Sequence, residues 1–143
     1  MTPPADHTAR MSDDALTALA HDQMPFSVGL GLRIEHGTAD EVVGTADWSA
    51  ERCTAGGVLH GGYLMALADG VGAICAVQNL PPGALTSTIE SKTNFFRAVS
   101  EGTVTIRSTP LHVGRTTIVV QTDIVRTDGK PVTRTTQTQA VIQ

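Results

Sequence analysis

Residues 63–77 are apolar almost without interruption, broken only by Asp69 and by glycines at 70 and 72. A helix wound from this run is apolar nearly all the way round, and such a helix belongs inside other structure. The remaining long runs have strand character. Leu32-Arg33-Ile34-Glu35 and residues 41–46 flank the turn formers His36-Gly37-Thr38, which predicts a hairpin within 30–48. Leu80-Pro81-Pro82-Gly83 stops the helix, and three β-rich runs follow at 86–99, 103–113 and 116–127. Asp128-Gly129 is a two-residue hairpin signal before a last strand at 131–142. Alternation along that strand sets Val132, Thr136, Thr138, Ala140 and Ile142 on one face and Thr133, Thr135, Gln137 and Gln139 on the other. The first set is predicted to be the buried one. Near the start, residues 1–10 are polar and expected to fray, while Ser12-Asp13-Asp14 ahead of Ala15, Leu16 and Leu19 predicts a short capped accessory helix.

One apolar helix among many strands predicts an α+β domain in which an antiparallel sheet curls around a central helix. The 143 residues are enough for one domain with a real core. A net charge of −4 and 3% aromatics argue against a nucleic-acid partner, so any anionic ligand must be held by local arginines. Cys53 and Cys75 are too few for a disulfide framework, and the first residues have neither a basic nor an apolar leader region, so a cytoplasmic protein is expected. The apolar run falls short of the roughly 20 residues of a membrane span. No zinc-ligand spacing, nucleotide-binding glycine fingerprint or G-x-S-x-G elbow occurs, so neither metal nor cofactor is expected. Cys75 reads as core, and Cys53 has no evident histidine partner in the sequence.

The chemistry concentrates in residues 57–69. Glycines at 61 and 62 mark a helix start where another group can approach the backbone, and the first N–H groups of a helix lack intrahelical partners and carry the positive end of its dipole. Such a terminus polarises a carbonyl oxygen. Asp69, nine residues after His60, is a carboxylate among apolar neighbours, where it needs either a partner or a catalytic job. His60 reads equally as a substrate contact or as a capping residue. A rise of 1.5 Å per residue puts Asp69 roughly 12 Å along the axis from Gly61, too far for both to act on one carbonyl. A two-fold dimer with antiparallel central helices would bring Asp69 of one copy to Gly61 of the other.

Three blocks in order, His60-Gly61-Gly62 with Asp69, then 93–99 (TNFFRAV), then 111–116 (LHVGRT), resemble the hotdog-fold acyl-CoA thioesterases, in the branch that includes the phenylacetate-pathway and 4-hydroxybenzoyl-CoA enzymes. The resemblance begins near Gly29, so residues 27–143 are assigned to the domain and 1–26 to an N-terminal segment. It implies that the Gly61 N–H binds the thioester carbonyl, that Asp69 is nucleophile or general base, and that Ser87, with Thr86 and Thr88 beside it, orients water. It also implies a homodimer with shared sites, commonly paired into a tetramer. Thr54 stands six before His60, where relatives commonly carry Asn or Gln; its hydroxyl is shorter and is no amide donor. For the CoA phosphates, Gly114-Arg115-Thr116 offers a clamp or only a hairpin turn, and Arg97 is a second candidate. Phe95 and Phe96 are expected on alternate faces, so at most one lines an acyl pocket. The expected activity is hydrolysis of a medium-chain or aromatic acyl-CoA. A noncatalytic acyl-CoA-binding module and a hotdog hydratase or dehydratase are the alternatives.

Overall fold

The apolar run forms the helix that organises the chain. In the structure, a computed structural model that describes residues 13–143, the element order is α1 (Asp13–Gln23), α2 (Phe26–Leu30), β1 (Arg33–Gly37), β2 (Val42–Asp47), a 3-10 turn (Ala50–Arg52), α3 (Gly61–Val77), β3 (Leu85–Phe95), β4 (Thr103–Val113), β5 (Thr117–Val125) and β6 (Pro131–Ile142). The expected fraying of residues 1–10 and the capping role of Ser12 lie outside the described residues. All six strands join one antiparallel sheet in the order β1-β2-β4-β5-β6-β3, and α3 packs against β2 through β6. The α+β architecture read from the sequence is the one observed.

The core lies between α3 and the concave face of the sheet. Leu67, Val71 and Cys75 of α3 join Ile106, Ile118, Val120 and Ile124 in one fully buried cluster. Burying each such side chain contributes about 1.5–3 kcal/mol. Burial also pushes the Cys75 thiol to higher pKa, so it stays protonated and packs as an apolar group. At the Asp128-Gly129 turn, Gly129 has φ +80, a conformation that side chains resist, and Arg126 N–H closes on Lys130 O at 3.0 Å.

α1 is fastened to the β1 edge. The Thr17 hydroxyl accepts from Ile34 N–H at 2.9 Å, His21 Nε2 meets Leu32 O at 2.8 Å, and Leu16 is buried against Gly37.

Two expectations are corrected. The run at 86–99 leaves the sheet after Phe95, where Phe96 N–H turns to Val132 O. On β6 Val132 is buried as expected, but beyond it the buried residues are Thr133, Thr135, Gln137 and Gln139, while Thr136 and Ile142 are exposed. Cross-strand partners share a face, and these four pair with Ile124, Thr122, Val120 and Ile118 of β5. The apolar inner face of β5 therefore turns the polar residues of β6 toward α3.

Candidate active site

One stripe of α3 escapes the sheet. Met65, Asp69 and Val77 are exposed, with Gly61 and Ala73 half-buried at the same four-residue spacing, so the five form an open stripe that winds slowly about the helix. Asp69 is thus not a buried charge within the single chain, as its apolar neighbours led one to expect. It does have a partner. The fully buried Gln137 donates an Nε2–H to Asp69 Oδ1. Gln137 Nε2 also reaches Thr88 Oγ1 at 3.3 Å, Gln139 Nε2 donates to the same oxygen at 2.8 Å, and the Thr86 hydroxyl meets Gln139 Oε1 at 3.1 Å. Since the Thr88 oxygen accepts from both amides, its own proton is left to donate elsewhere.

The orientation of Gln137 carries information. Its Oε1 is buried with no hydrogen-bond partner and lies against Gly72, where an added Cβ would collide with it. An orphaned buried acceptor costs about 1–3 kcal/mol. An ionised carboxylate only accepts, so the amide must turn its NH2 to Asp69 and leave the oxygen facing the helix. Asp69 Oδ2 has no protein donor among the described residues and remains open to water or substrate.

Ser87 is not part of this cluster. It pairs with Ala140, on the face opposite to Thr88 and its partner Gln139, and is exposed. A bulge between Thr88 and Glu90 then returns Ser91, Thr93 and Phe95 to the inner face. Thr88 is linked to the carboxylate through the Gln137 amide, which reaches both, and Gln137 was missed because an alternating run of Thr and Gln reads as a solvated face. The short motif around Asp69 held no trace of it.

The N-terminus of α3 gathers a second group. His60 is the N-cap, its Nδ1 accepting from Gly62 N–H at 2.8 Å, which requires the neutral ring to carry its proton on Nε2. The capping reading of His60 therefore holds. Gly61 N–H has no acceptor among the described residues and stays available. A Cβ at Gly61 would sit 3.2 Å from the Phe95 ring, so the ring overlies this terminus. Thr54 is exposed at the same end, its N–H donating to Val58 O at 2.9 Å across a turn that holds Gly56 and Gly57. Tyr63 anchors the terminus from below: its hydroxyl donates to Leu30 O at 2.7 Å, the Arg52 guanidinium stands 5.4 Å from its ring centre, and burial raises its pKa.

β3 ends at Phe95, and Phe95 and Phe96 are both exposed and border one cleft with Arg97 and Arg134, while the Phe95 ring also reaches the α3 terminus. Arg97 Nη1 donates to Pro131 O at 3.0 Å, and Arg134 is paired with Asp123. Gly114, Arg115 and Thr116 form the β4–β5 turn, where Thr116 O accepts from Val141 N–H. That turn adjoins the Leu85 end of β3, whereas Arg97 follows the Phe95 end; at 3.3 Å per residue the two lie roughly 30 Å apart. One chain does not place both arginines on one ligand. Nor does one helix bring Gly61 to Asp69. No group of three metal-ligating side chains occurs among the described residues, and no helix there is long and apolar enough to cross a membrane.

A model of the thioesterase superfamily matches residues 56–133, more than half of the chain, including the α3 terminus, Asp69 and Thr88. The chain belongs to the thioesterase superfamily. Its fold agrees: thioesterase HI1161 from Haemophilus influenzae superposes with a TM-score of 0.85 at 29% identity, covering 93% of this chain and 92% of the other. A Streptococcus pneumoniae structure described as a hypothetical thioesterase with coenzyme A gives 0.76 at 27% identity, over 85% of this chain and 95% of that one. In sequence, the Bacillus subtilis protein named "Putative esterase ComA2" is 36% identical over 92 residues, 63% of this chain and 72% of the relative. A Haemophilus influenzae esterase-named protein is 38% identical over 74 residues, which cover 52% of this chain and about half, 54%, of the relative's length. This member of the thioesterase superfamily has the hotdog fold, with α3 as the wrapped helix.

Proposed function

We propose that the protein hydrolyses acyl-CoA thioesters to a free acid and CoA, acting as a homodimer with two shared sites. The observation that carries this reading is the Asp69 carboxylate, held at Oδ1 by the Gln137 amide and placed beside the Thr88 hydroxyl, with an uncommitted Gly61 N–H on the same open stripe of α3. A water that accepts from the Thr88 hydroxyl and donates to Asp69 Oδ2 is set up for deprotonation, which supports the general-base role over the nucleophilic one. It attacks the thioester carbonyl, the oxyanion is stabilised by the Gly61 N–H of the other copy, and the CoA thiolate leaves as the carbonyl re-forms.

The free edge of the sheet supports the dimer. β3 is eleven residues long, open along one side, and largely exposed on both faces. An edge of that length is a template for pairing with a second strand. Antiparallel β3–β3 pairing sets the two α3 helices antiparallel and brings the Arg115 end of one copy toward the Arg97 end of the other. In that arrangement the cleft at Phe96 and Arg97 takes the CoA end of the substrate, joined by Arg115 from the second copy. The coenzyme A bound to the Streptococcus pneumoniae relative supports this substrate class.

The test is thiol release from a panel of acyl-CoAs by wild type and Asp69→Asn. Wild-type turnover with a loss in kcat of about 10²–10⁴-fold in a folded variant is expected. Binding without turnover would favour the noncatalytic module instead, and near-normal turnover by the variant would remove Asp69 from the mechanism.

A further inference from the structure

The open stripe of α3 does not end at Asp69. One turn on, at Ala73, it becomes the floor of a groove of about 480 Å³. The floor continues to Val77, one bank is α1 with Leu19 and Ala20, followed by Met24, and the other is the start of β3 at Leu85. The topology explains the groove. β1 and β3 are the two edges of a sheet curled around α3, and α1, fastened to the β1 edge, leans over the seam between them.

We propose that this groove receives the acyl group of the substrate and that α1 is the wall that selects its length. The inference rests on Asp69 as the reacting group. Three observations favour an acyl chain as occupant. The groove starts one helical turn, about 5.4 Å, beyond the carboxylate, so a thioester reacting at Asp69 has its acyl carbons at the entrance. None of the side chains lining it is charged, which fits a hydrocarbon and excludes a phosphate or a carboxylate at its far end. Its volume falls in the range of small-molecule sites. The path from Asp69 to the end of the floor at Val77 is roughly 12 Å, which matches a medium-length chain or a single aromatic ring with a short tail. α1 lies outside residues 56–133, the part that the superfamily model matches.

The experiment compares kcat/KM for acetyl-, butyryl-, octanoyl- and lauroyl-CoA in wild type, Leu19→Trp and Ala73→Leu. Leu19 is 45% exposed, so a larger side chain there is accommodated without entering the core. Wild type should prefer octanoyl over acetyl, and both variants should cut that preference at least tenfold, mainly through KM. Calorimetry with Asp69→Asn protein supplies a reading independent of turnover. Octanoyl-CoA should bind more tightly than CoA itself, and adding Leu19→Trp should erase the difference. Folded variants with an unchanged octanoyl-to-acetyl ratio would overturn the proposal, as would equal binding of octanoyl-CoA and CoA. A drop in particle mass for Leu19→Trp in size-exclusion chromatography would also overturn it, by showing that a second copy covers the groove. If wild type hydrolyses no member of the series while the calorimetric difference persists, the catalytic reading fails and the acyl groove stands.

Discussion

Gln137 donates its side-chain amide to Asp69 across 68 residues of sequence, joining the last strand to the middle of the central helix. The contact fixes the direction of a carboxylate that is otherwise exposed, and it does so from a residue with no exposure of its own.

Replacing Gln137 by Leu keeps the volume of the side chain and removes the donor. If the amide aims Asp69, kcat should fall about 10–100-fold with KM near wild type, since the interaction matters at the reacting step. In an Asp69→Asn background the same substitution should change the residual rate little, because the group it acts through is gone. A full further loss in the double variant would show that Gln137 acts by another route.

The shared site is checked by mixing. Gly61→Val blocks the α3 terminus and presses on the Phe95 ring, and Asp69→Ala removes the carboxylate. Each chain should be inactive alone, and the isolated mixed dimer should recover about half of wild-type activity, since one of its two sites keeps both intact halves. A mixed dimer that stays folded and inactive would place both groups in one chain's site.

Arg97→Ala and Arg115→Ala should each raise KM for an acyl-CoA with little change in kcat, the pattern for a contact made equally in ground and transition states. Added salt should weaken wild type more than either variant. An acyl thioester of a short pantetheine-like thiol, which lacks the nucleotide phosphates, should be hydrolysed alike by all three. Equal losses on both substrates would assign the arginines to the fold.

Asp47 ties the ends of three strands, accepting from Arg33 at 3.1 and 3.2 Å and from Thr103 at 2.7 Å. The Arg33 guanidinium, and after it the Thr103 hydroxyl, hold its pKa below the ordinary carboxylate value. A carboxylate with a depressed folded-state pKa contributes stability above its unfolded pKa and loses it as pH falls through the folded one. Asp47→Asn should therefore lower stability at neutral pH, by no more than about 1 kcal/mol because solvent screens so exposed a pair. Thermal melts should show the gap between variant and wild type closing in acid and narrowing in high salt.

Local chemistry in the sequence was sufficient for much of this protein. The apolar run around Asp69 could only be a wrapped helix, Pro81-Pro82-Gly83 could only end it, and Asp128-Gly129 set the final hairpin, because each rests on the conformational limits of a few adjacent residues. The helix start at Gly61 and the place of Asp69 on the same helix were legible for the same reason, as was their separation along one axis. What the tertiary structure decided was pairing. Whether Gln137 faces solvent or α3 depends on which neighbour β6 adopts and in what register, and β5 and β3 both had to be in place before Thr88, rather than Ser87, stood beside the carboxylate. The bulge at residue 89, the closing of α1 over the seam and the opposite placement of Arg97 and Arg115 likewise come from contacts between distant segments. A period-two pattern is silent on these, since it tells which residues share a face but not what that face will meet.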